Sequence, residues 1–442
     1  MPHAQAAVAV KSFFRVVTAD EAREHLATFA PKACPEQSRR VGSETIPVVE
    51  ACGRVLAKDL LSPVDLPHFH RANMDGYAVR AQDTFGASSG LPAYLKLVGV
   101  VEMGSEAKRT LKKGETLRIS TGGMLPPGSD AVVMVEYTEE MGDGTVEIHR
   151  GVSPWENVIR IGEDIKKGDP IFKQGRRLRA HDLGALTGVG LTKIPVCHRP
   201  KVALISTGDE IIDPTKTPKP GQIRNVNQYA LRAMIADGGG ETVDFGVIKD
   251  DRPLFEKTMD RALTSADLVM ISGGSSVGTK DMTVDVICSF PNSEMFFHGI
   301  SIAPGKPTIF ARARGKPVMG LPGHPVSALI VFELFGGPLV RMVGGESPAS
   351  AFAFQRTVGA VLTQNVASAP GREDYVRVTL ESHNGPFALR QAQDAQGRRL
   401  YARPLPGKSG AIFSLVKADG MVCIPLSDEG LEAGEEVEVI LF

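Results

Sequence analysis

From about residue 202 to residue 344, short apolar runs alternate with stretches whose apolar positions recur at helical spacing. Residues 202–205, 242–248 and 267–272 read as strands. Between them, Asn227 can cap a helix through Asp237 whose apolar face is Ala230, Leu231, Met234 and Ile235, and Gly238, Gly239 and Gly240 stop it. A second helix takes Asp250 or Asp251 as its cap and Pro253 in its first turn. Leu254, Phe255, Met259, Ala262 and Leu263 line one of its faces. Alternating β and α units predict a mainly parallel sheet covered on both faces, with functional loops at the C-terminal ends of its strands.

On either side the pattern shortens to alternating strands with glycine turns. LKKGETLRI from Leu111, IKKGDPIF from Ile165 and LEAGEEVEVI from Leu431 read as irregularly spaced, hairpin-like β modules. The plan is multidomain α/β plus β. A connector comprises residues 11–50 and 153–198, a β-rich lobe 51–152, an α/β domain with a parallel-type sheet 199–346, and a small barrel-like β domain 347–442. Two polar stretches, 32–43 and 382–399, have compositions that add little to a core and read as exposed loops or insertions.

Composition narrows the classes of function. A chain of 442 residues is long enough for several domains. Lys plus Arg number 50 against 51 Asp plus Glu, which leaves no global basic field for nucleic-acid binding, so any anion must be held locally. Cys34, Cys52, Cys197, Cys288 and Cys423 form no pair at zinc or redox spacing and read as reduced, mostly buried thiols. The start lacks a basic signal-peptide opening, and the longest apolar candidate, 326–335, carries Glu333 and falls short of the roughly 20 residues that cross a bilayer. A cytoplasmic protein without a membrane span is expected.

Several loops carry the elements of anion chemistry. The run at 267–272 ends in GGSSVGTKD: Gly273, Gly274 and Gly278 let backbone amides converge, Ser275 and Ser276 add hydroxyls, and a helix starting near Met282 favours negative charge. The loop has neither the lysine of a phosphate-binding P-loop nor the spacing of a dinucleotide fingerprint, which disfavours nucleoside triphosphate hydrolysis and hydride transfer. Asp281 at its end is either a helix cap or a ligand for a cation, magnesium above all, bridging carboxylate and phosphate. Thr207-Gly208-Asp209-Glu210 ends the first run with two carboxylates. Lys306 sits in the stiff APGKP loop, where it is a point charge for an oxyanion or a solvated surface lysine. Ser327 follows the GLPGHP loop, in which His324 is an acid, a base or a structural residue. NMDGYAV around Asp75 and the polar loop from Ile119 through Thr121 taken alone are hairpin chemistry in a β domain.

Together these motifs resemble the molybdopterin molybdotransferase family, which includes the E domain of gephyrin. The resemblance runs from about Ser12 to the C-terminus through MDGYA at Met74, Thr121-Gly with Pro126 and the AVVM run at Ala131, GEDI at Gly162, STGDE at Ser206, GQIRNVN at Gly221, Ser272 to Asp281, PGKP at Pro304 and GLPG at Gly320. It implies an elongated homodimer whose cleft in a molybdopterin-binding domain is completed by the partner's β-rich lobe. It also implies conversion of adenylylated molybdopterin and molybdate to molybdenum cofactor with release of AMP, assisted by magnesium. Molybdoenzymes or cofactor carriers are the implied downstream partners.

Carried over by motif, Thr207, Gly208, Ser272, Gly273, Gly274, Ser275, Ser276 and Gly278 would hold pterin phosphate or pyrophosphate. Glu210 and Asp281, with Asp250, would bind the cation or orient water. Lys306 with Pro304, Gly305 and Pro307, Ser327 with Pro322 and Gly323, and Arg372 and Ser409 would approach the oxyanion. Asp75, Thr121 and Asp164 would act from the first lobe and connector. This chain departs from many relatives at His70, Ala72, Ala303 and His324, where they carry Asp, Ser, Lys and Asn. The alternatives are a non-catalytic scaffold or storage paralogue, a tungstate-preferring homologue, or the related ATP-using adenylyltransferase, which would not need the two extra β modules.

Overall fold

The structure is a computed structural model, and it describes residues 15–30, 42–273, 282–353, 355–383 and 399–442. Its centre is a six-stranded sheet in the order Glu241–Ile248, Lys201–Thr207, Leu268–Ser272, Lys316–Leu321, Ile309–Ala313, Glu294–His298. The first four strands are mutually parallel, and Ile309–Ala313 runs antiparallel to both of its neighbours. Leu268–Ser272 is buried at every position, which requires helices on both faces and explains its unbroken apolar run. One core gathers Leu204, Leu231, Met270, Phe310 and Phe335; the opposite face gathers Ile205, Phe255, Met259, Ile271 and Val318.

The helix Arg252–Ser265 is capped by Asp251, whose side chain accepts from Leu254 N at 2.8 Å. Phe255, Met259, Ala262 and Leu263 are buried as expected, but Leu254, in the first turn of the helix, is 45% exposed. The helix Asn227–Asp237 differs in one respect: Asn227 is its first residue rather than its cap, and no side chain caps it.

The apolar segment near residue 330 is longer than expected. Pro325–Val343 forms one helical run of 19 residues, with a π-helical turn over Phe332–Gly336, and is long and apolar enough to span a bilayer by length and composition. The fold buries 89% of that window, so its apolarity belongs to the central core.

Helix Ala19–Ala27 opens with a capping box between Thr18 and Glu21 and lays Ala19, Ala22 and Leu26 against the same core, with Phe29 edge-on to Phe310. The chain then pairs Ser43–Pro47 with Lys193–Cys197. A second six-stranded sheet, order Ala131–Met134, Gly76–Val79, Glu115–Ile119, Ala93–Val100, Thr145–Ile148, Thr138–Glu140, carries a small core on each face. At the C-terminus, Glu373–His383, Arg399–Pro404, Thr357–Leu362, Glu436–Leu441 and Gly420–Ile424 close into a five-stranded barrel.

The glycine turns in the flanking modules are present: Gly114, Gly168 and Gly434 have φ of 75°, 89° and 96°. They are not local hairpins. Glu115–Ile119 pairs with Gly76–Val79 and Ala93–Val100, Pro170–Phe172 with Leu60–Leu61, and Glu436–Leu441 with Thr357–Leu362. Of the two polar stretches, residues 32–41 and 384–398 lie outside the described residues, while Ser43, Ser382 and Arg399 are strand residues. The cysteines also correct the expectation: Cys197 is buried and Cys423 half-buried, but Cys52 and Cys288 are exposed, and Cys34 lies outside the described residues.

Buried charge ties the central unit to the connector. Arg177 donates to Gly238 O at 3.0 Å, Asp237 O at 2.9 Å and Glu346 Oε1 at 3.4 Å. Within the connector, buried Asp182 is opposed by its own desolvation. Arg176 and Arg179 outweigh that cost through bonds of 2.8 Å from Arg176 Nη2 and 2.9 Å from Arg179 N, holding the carboxyl at about 2. A folded pKa below the unfolded value contributes stability that is complete above about pH 4 and lost as pH falls towards the folded value. Asp182→Asn is therefore expected to cost about 2 kcal/mol at neutral pH. The gap to wild type should close as pH falls through 4 towards 2 in thermal denaturation series; a gap constant with pH would exclude the ionised carboxylate as its source.

Candidate active site

The four parallel strands all end at one edge, and the residues that follow them line a single cleft of about 1500 Å³. In sheet order these are Asp250, then Thr207, Gly208 and Glu210, then Ser272 and Gly273, then Pro322, Gly323, His324 and Ser327. The loop Pro304, Gly305, Lys306 and Pro307 leads into the fifth strand and forms the next part of the wall. Arg372 and Ser409 reach it from the C-terminal barrel. This is the position at which open α/β sheets hold ligands.

Asp75, Thr121 and Asp164 do not line the cleft. Asp75 and Thr121 do meet each other: Thr121 N and Oγ1 donate to Asp75 Oδ1 at 2.7 and 3.0 Å, and these bonds hold the carboxyl below its ordinary range. Asp164 is exposed in a connector turn, with its N–H donating to Leu66 O at 3.0 Å. Gly274, Ser275, Ser276, Gly278 and Asp281 lie outside the described residues.

Two backbone loops set the floor of the cleft. Strand register places Ser206 beside Ser272 and Ser272 beside Leu321, so the following turns emerge side by side. Gly273 has φ +102°, and a Cβ there would lie 2.4 Å from Thr207 O and 2.9 Å from Thr207 Oγ1. Only glycine allows this approach. Asn227, buried at the head of its helix, donates from Nδ2 to Ser272 Oγ and to Gly323 O, both at 2.9 Å, and so ties the third strand's end to the fourth's. Asn227 Oδ1 and Thr207 Oγ1 are buried with no hydrogen-bond partner among the described residues. Orphaned polar atoms of this kind are costly unless a ligand or water meets them.

Charge is distributed unevenly along the cleft. Asp250 and Glu210 follow the first and second strands in sheet order, joined on that side by Arg224, whose Nε donates to Pro214 O at 3.0 Å. Lys306 and Arg372 lie towards the opposite side, as does the imidazole of His324. Lys306 is exposed on a loop held by its own carbonyl, which accepts from Ile300 N at 3.0 Å and Thr308 N at 2.9 Å. His324 Nδ1 is 3.0 Å from Ser409 Oγ, and Ser409 O accepts from Val326 N at 3.0 Å, so the barrel is bonded to the start of the core helix. The donors at Glu210 and Asp250 are hard carboxylate oxygens. Magnesium is commonly held by one or two such groups together with substrate phosphates, so the residues present fit it.

Asn225, Asn227 and Ser301 also line the cleft, although from sequence Asn227 reads only as a helix cap and the other two carry no role. A signal existed for Asn227: with Leu231 and Ile235 it repeats every fourth residue on the buried face of its helix, and an amide there must find partners.

Three family models cover most of the chain: "MoeA N-terminal region (domain I and II)" over residues 17–190, "Probable molybdopterin binding domain" over 203–342 and "MoeA C-terminal region (domain IV)" over 359–442. The chain is 31% identical over 424 residues to a molybdopterin molybdenumtransferase of Haemophilus influenzae, covering 96% of this chain and 98% of that protein. It is 32% identical over 408 residues to molybdopterin molybdenumtransferase 2 of Mycobacterium tuberculosis, covering 91% and 96%. The crystal structure of a molybdopterin biosynthesis MoeA protein from a Pyrococcus species is similar with a TM-score of 0.73 at 39% identity, over 97% of this chain and 99% of that one.

Gly273→Ala is expected to cost about 1–3 kcal/mol of stability, since it combines a disfavoured φ with a backbone clash. Gly410→Ala, in the same cleft but with its nearest neighbour at 4.0 Å, serves as the control and should stay near wild type. Urea denaturation followed by circular dichroism compares them, and equal midpoints would show that the loops move apart without strain.

Proposed function

The chain belongs to the MoeA family, and from that premise we propose that its cleft inserts molybdenum into molybdopterin as a molybdopterin molybdenumtransferase acting on the adenylylated ligand, with release of AMP. The observation that carries this reading is the make-up of the cleft wall: Lys306 and Arg372 on one side, Glu210 and Asp250 with Arg224 on the other, and buried, unpartnered polar atoms between them.

Thr207, Gly208, Ser272 and Gly273 suit the phosphate-bearing part of the ligand, because close-packed turns present small donors to an extended anion. Thr207 Oγ1 can donate to a phosphate oxygen, and Asn227 Oδ1 can accept from an N–H of the pterin. Lys306, Arg372, Ser327 and Ser409 suit molybdate, with the rigid Pro304–Pro307 loop keeping Lys306 in place before the oxyanion arrives. The dithiolene sulfurs of molybdopterin bind molybdenum in place of a molybdate oxygen, which leaves as water with the thiol protons, and a second water cleaves the phosphoanhydride so that the adenylyl group departs as AMP. Fixed donors hold the oxyanion, so the exchange takes place without rearrangement of the wall. Glu210 and Asp250, with Asp281, would hold magnesium, which when bound withdraws charge from the phosphate. The carboxylates orient water and phosphate around that position.

Asp75, Thr121 and Asp164 do not line the cleft of their own chain, and the reading assigns them to the cleft of a second copy in a homodimer. Asp75 is already ordered for this by Thr121.

Two outcomes are expected. AMP release from adenylylated molybdopterin requires both molybdate and a divalent cation, and Lys306→Ala lowers it by roughly two to three orders of magnitude, the scale for a group stabilising developing charge. Release independent of molybdate would argue for a different transfer reaction. Secondly, Asp75→Ala and Lys306→Ala subunits, each inactive alone, should recover about a quarter of wild-type activity after unfolding and refolding together, because each mixed dimer has one intact cleft. No recovery would place Asp75 outside the partner's reaction.

A further inference from the structure

The loop carrying Lys306 and the residue Arg372 come from different units, yet the backbone locks them together. Ile302–Ala303, the root of the Lys306 loop, pairs in parallel with Glu373 and Asp374 of the barrel, Ala303 lying opposite Asp374. Glu373 N donates to Ser301 O at 2.9 Å. On the side chains, Arg372 Nε is 2.8 Å from Asp374 Oδ1, and Arg372 Nη2 donates to Asp374 Oδ2 at 3.2 Å. Ser368 Oγ donates to the same Oδ2 at 2.9 Å.

Burial distinguishes the two partners. Asp374 is 8% exposed and does not line the cleft, whereas the Arg372 side chain is 45% exposed and does. Strand alternation keeps this pair on one side of the chain, away from Glu373 and Tyr375, which are bonded to each other at 2.6 Å. One hydrogen bond to Oδ2 and the close ion pair to Oδ1, which itself has no hydrogen-bond partner among the described residues, restrain the guanidinium and leave its remaining N–H donors for the cleft.

We propose that Asp374 is a positioning residue for the oxyanion pocket: its backbone sets the register of the Lys306 loop, and its carboxylate holds Arg372 in the orientation that meets molybdate. The proposal rests on the reading of the cleft as the molybdate site. An arginine free to rotate would lose conformational freedom on each binding event, and Asp374, backed by Ser368, removes that loss before the ligand arrives. It also explains why a carboxylate stands beside an anion pocket: it faces the back of the guanidinium rather than the cleft.

The test is molybdate binding to the full chain by calorimetry, with tungstate in parallel, beside steady-state AMP release. Asp374→Asn is expected to raise the molybdate Kd and KM roughly tenfold, within the range of coupling inside one hydrogen-bond network. The kcat at saturating molybdate and the KM for adenylylated molybdopterin should stay within about twofold of wild type, a split that general loosening of the barrel would not produce. In an Arg372→Ala background the same substitution should have no further effect. A wild-type Kd in Asp374→Asn, or additive effects in the double variant, overturns the proposal while leaving the cleft assignment intact. If Arg372→Ala itself binds molybdate normally, the assignment of Arg372 to the oxyanion fails, and the proposal with it. Should Asp374→Asn not fold, Arg372→Lys carries the test, because it keeps the charge but lacks the Nη2–H that Asp374 Oδ2 accepts. Molybdate affinity as weak as in Arg372→Ala supports the proposal, and wild-type affinity overturns it.

Discussion

The cleft exists because four parallel strands end together, and their register is what the rest of the site depends on. A parallel sheet sends successive loops out at one edge, where the backbone amides of each turn are no longer paired within the sheet. Here the ends are drawn closer than pairing alone requires. Gly273 comes against Thr207, and the amide of Asn227 bonds the third turn to the fourth. The consequence is a floor of small, fixed donors, and a ligand that binds there does not have to order them.

The second constraint is that the wall is not built from one unit. The barrel contributes Arg372 and Ser409, and it is joined to the central unit by a short strand pairing, a backbone bond to the start of the core helix and the His324–Ser409 contact. Each junction lies beside a cleft residue, so docking of the barrel and assembly of the cationic side are the same event. On the other flank, Arg177 reaches the carbonyls that end the Asn227 helix and the buried Glu346. Burial pushes the Glu346 carboxyl upward, and Arg177 and Arg341 oppose that shift.

Much of this could be read from the sequence, for identifiable reasons. Strands 242–248 and 267–272 and the helix after Asp251 announced themselves because apolar periodicity and capping are local properties. The strand partners of the glycine-turn modules did not, since pairing is set by tertiary packing and not by a turn's own residues: Glu436–Leu441 finds Thr357–Leu362 across the barrel. Leu254 fits the helical stripe and yet is exposed, because a stripe gives the direction of a side chain but not what packs against it there. Asn227 illustrates a different limit. Its type and place suit a cap, and the competing use, bonding two loops distant in sequence, becomes visible only when both loops are in place. The apolarity of Pro325–Val343 likewise has its explanation in packing, because the helix is enclosed by the central core.

Near-neutral overall charge gives the local arrangement its importance. With 50 basic and 51 acidic side chains, the molecule has little long-range field to concentrate an anion, and charges separated by more than about 10 Å are screened at ordinary ionic strength. Recognition of an anionic ligand must then come from groups within contact distance, whose placement matters more than their number. Lys306 on a loop closed by its own carbonyl and Arg372 paired with Asp374 are each held at the cleft, one through backbone and one through a second side chain. Glu210 and Asp250 stand at the ends of neighbouring strands, with Arg224 on the same side of the cleft. The sheet's strand order, rather than the chain's composition, decides which of these groups stand beside one another in the cleft.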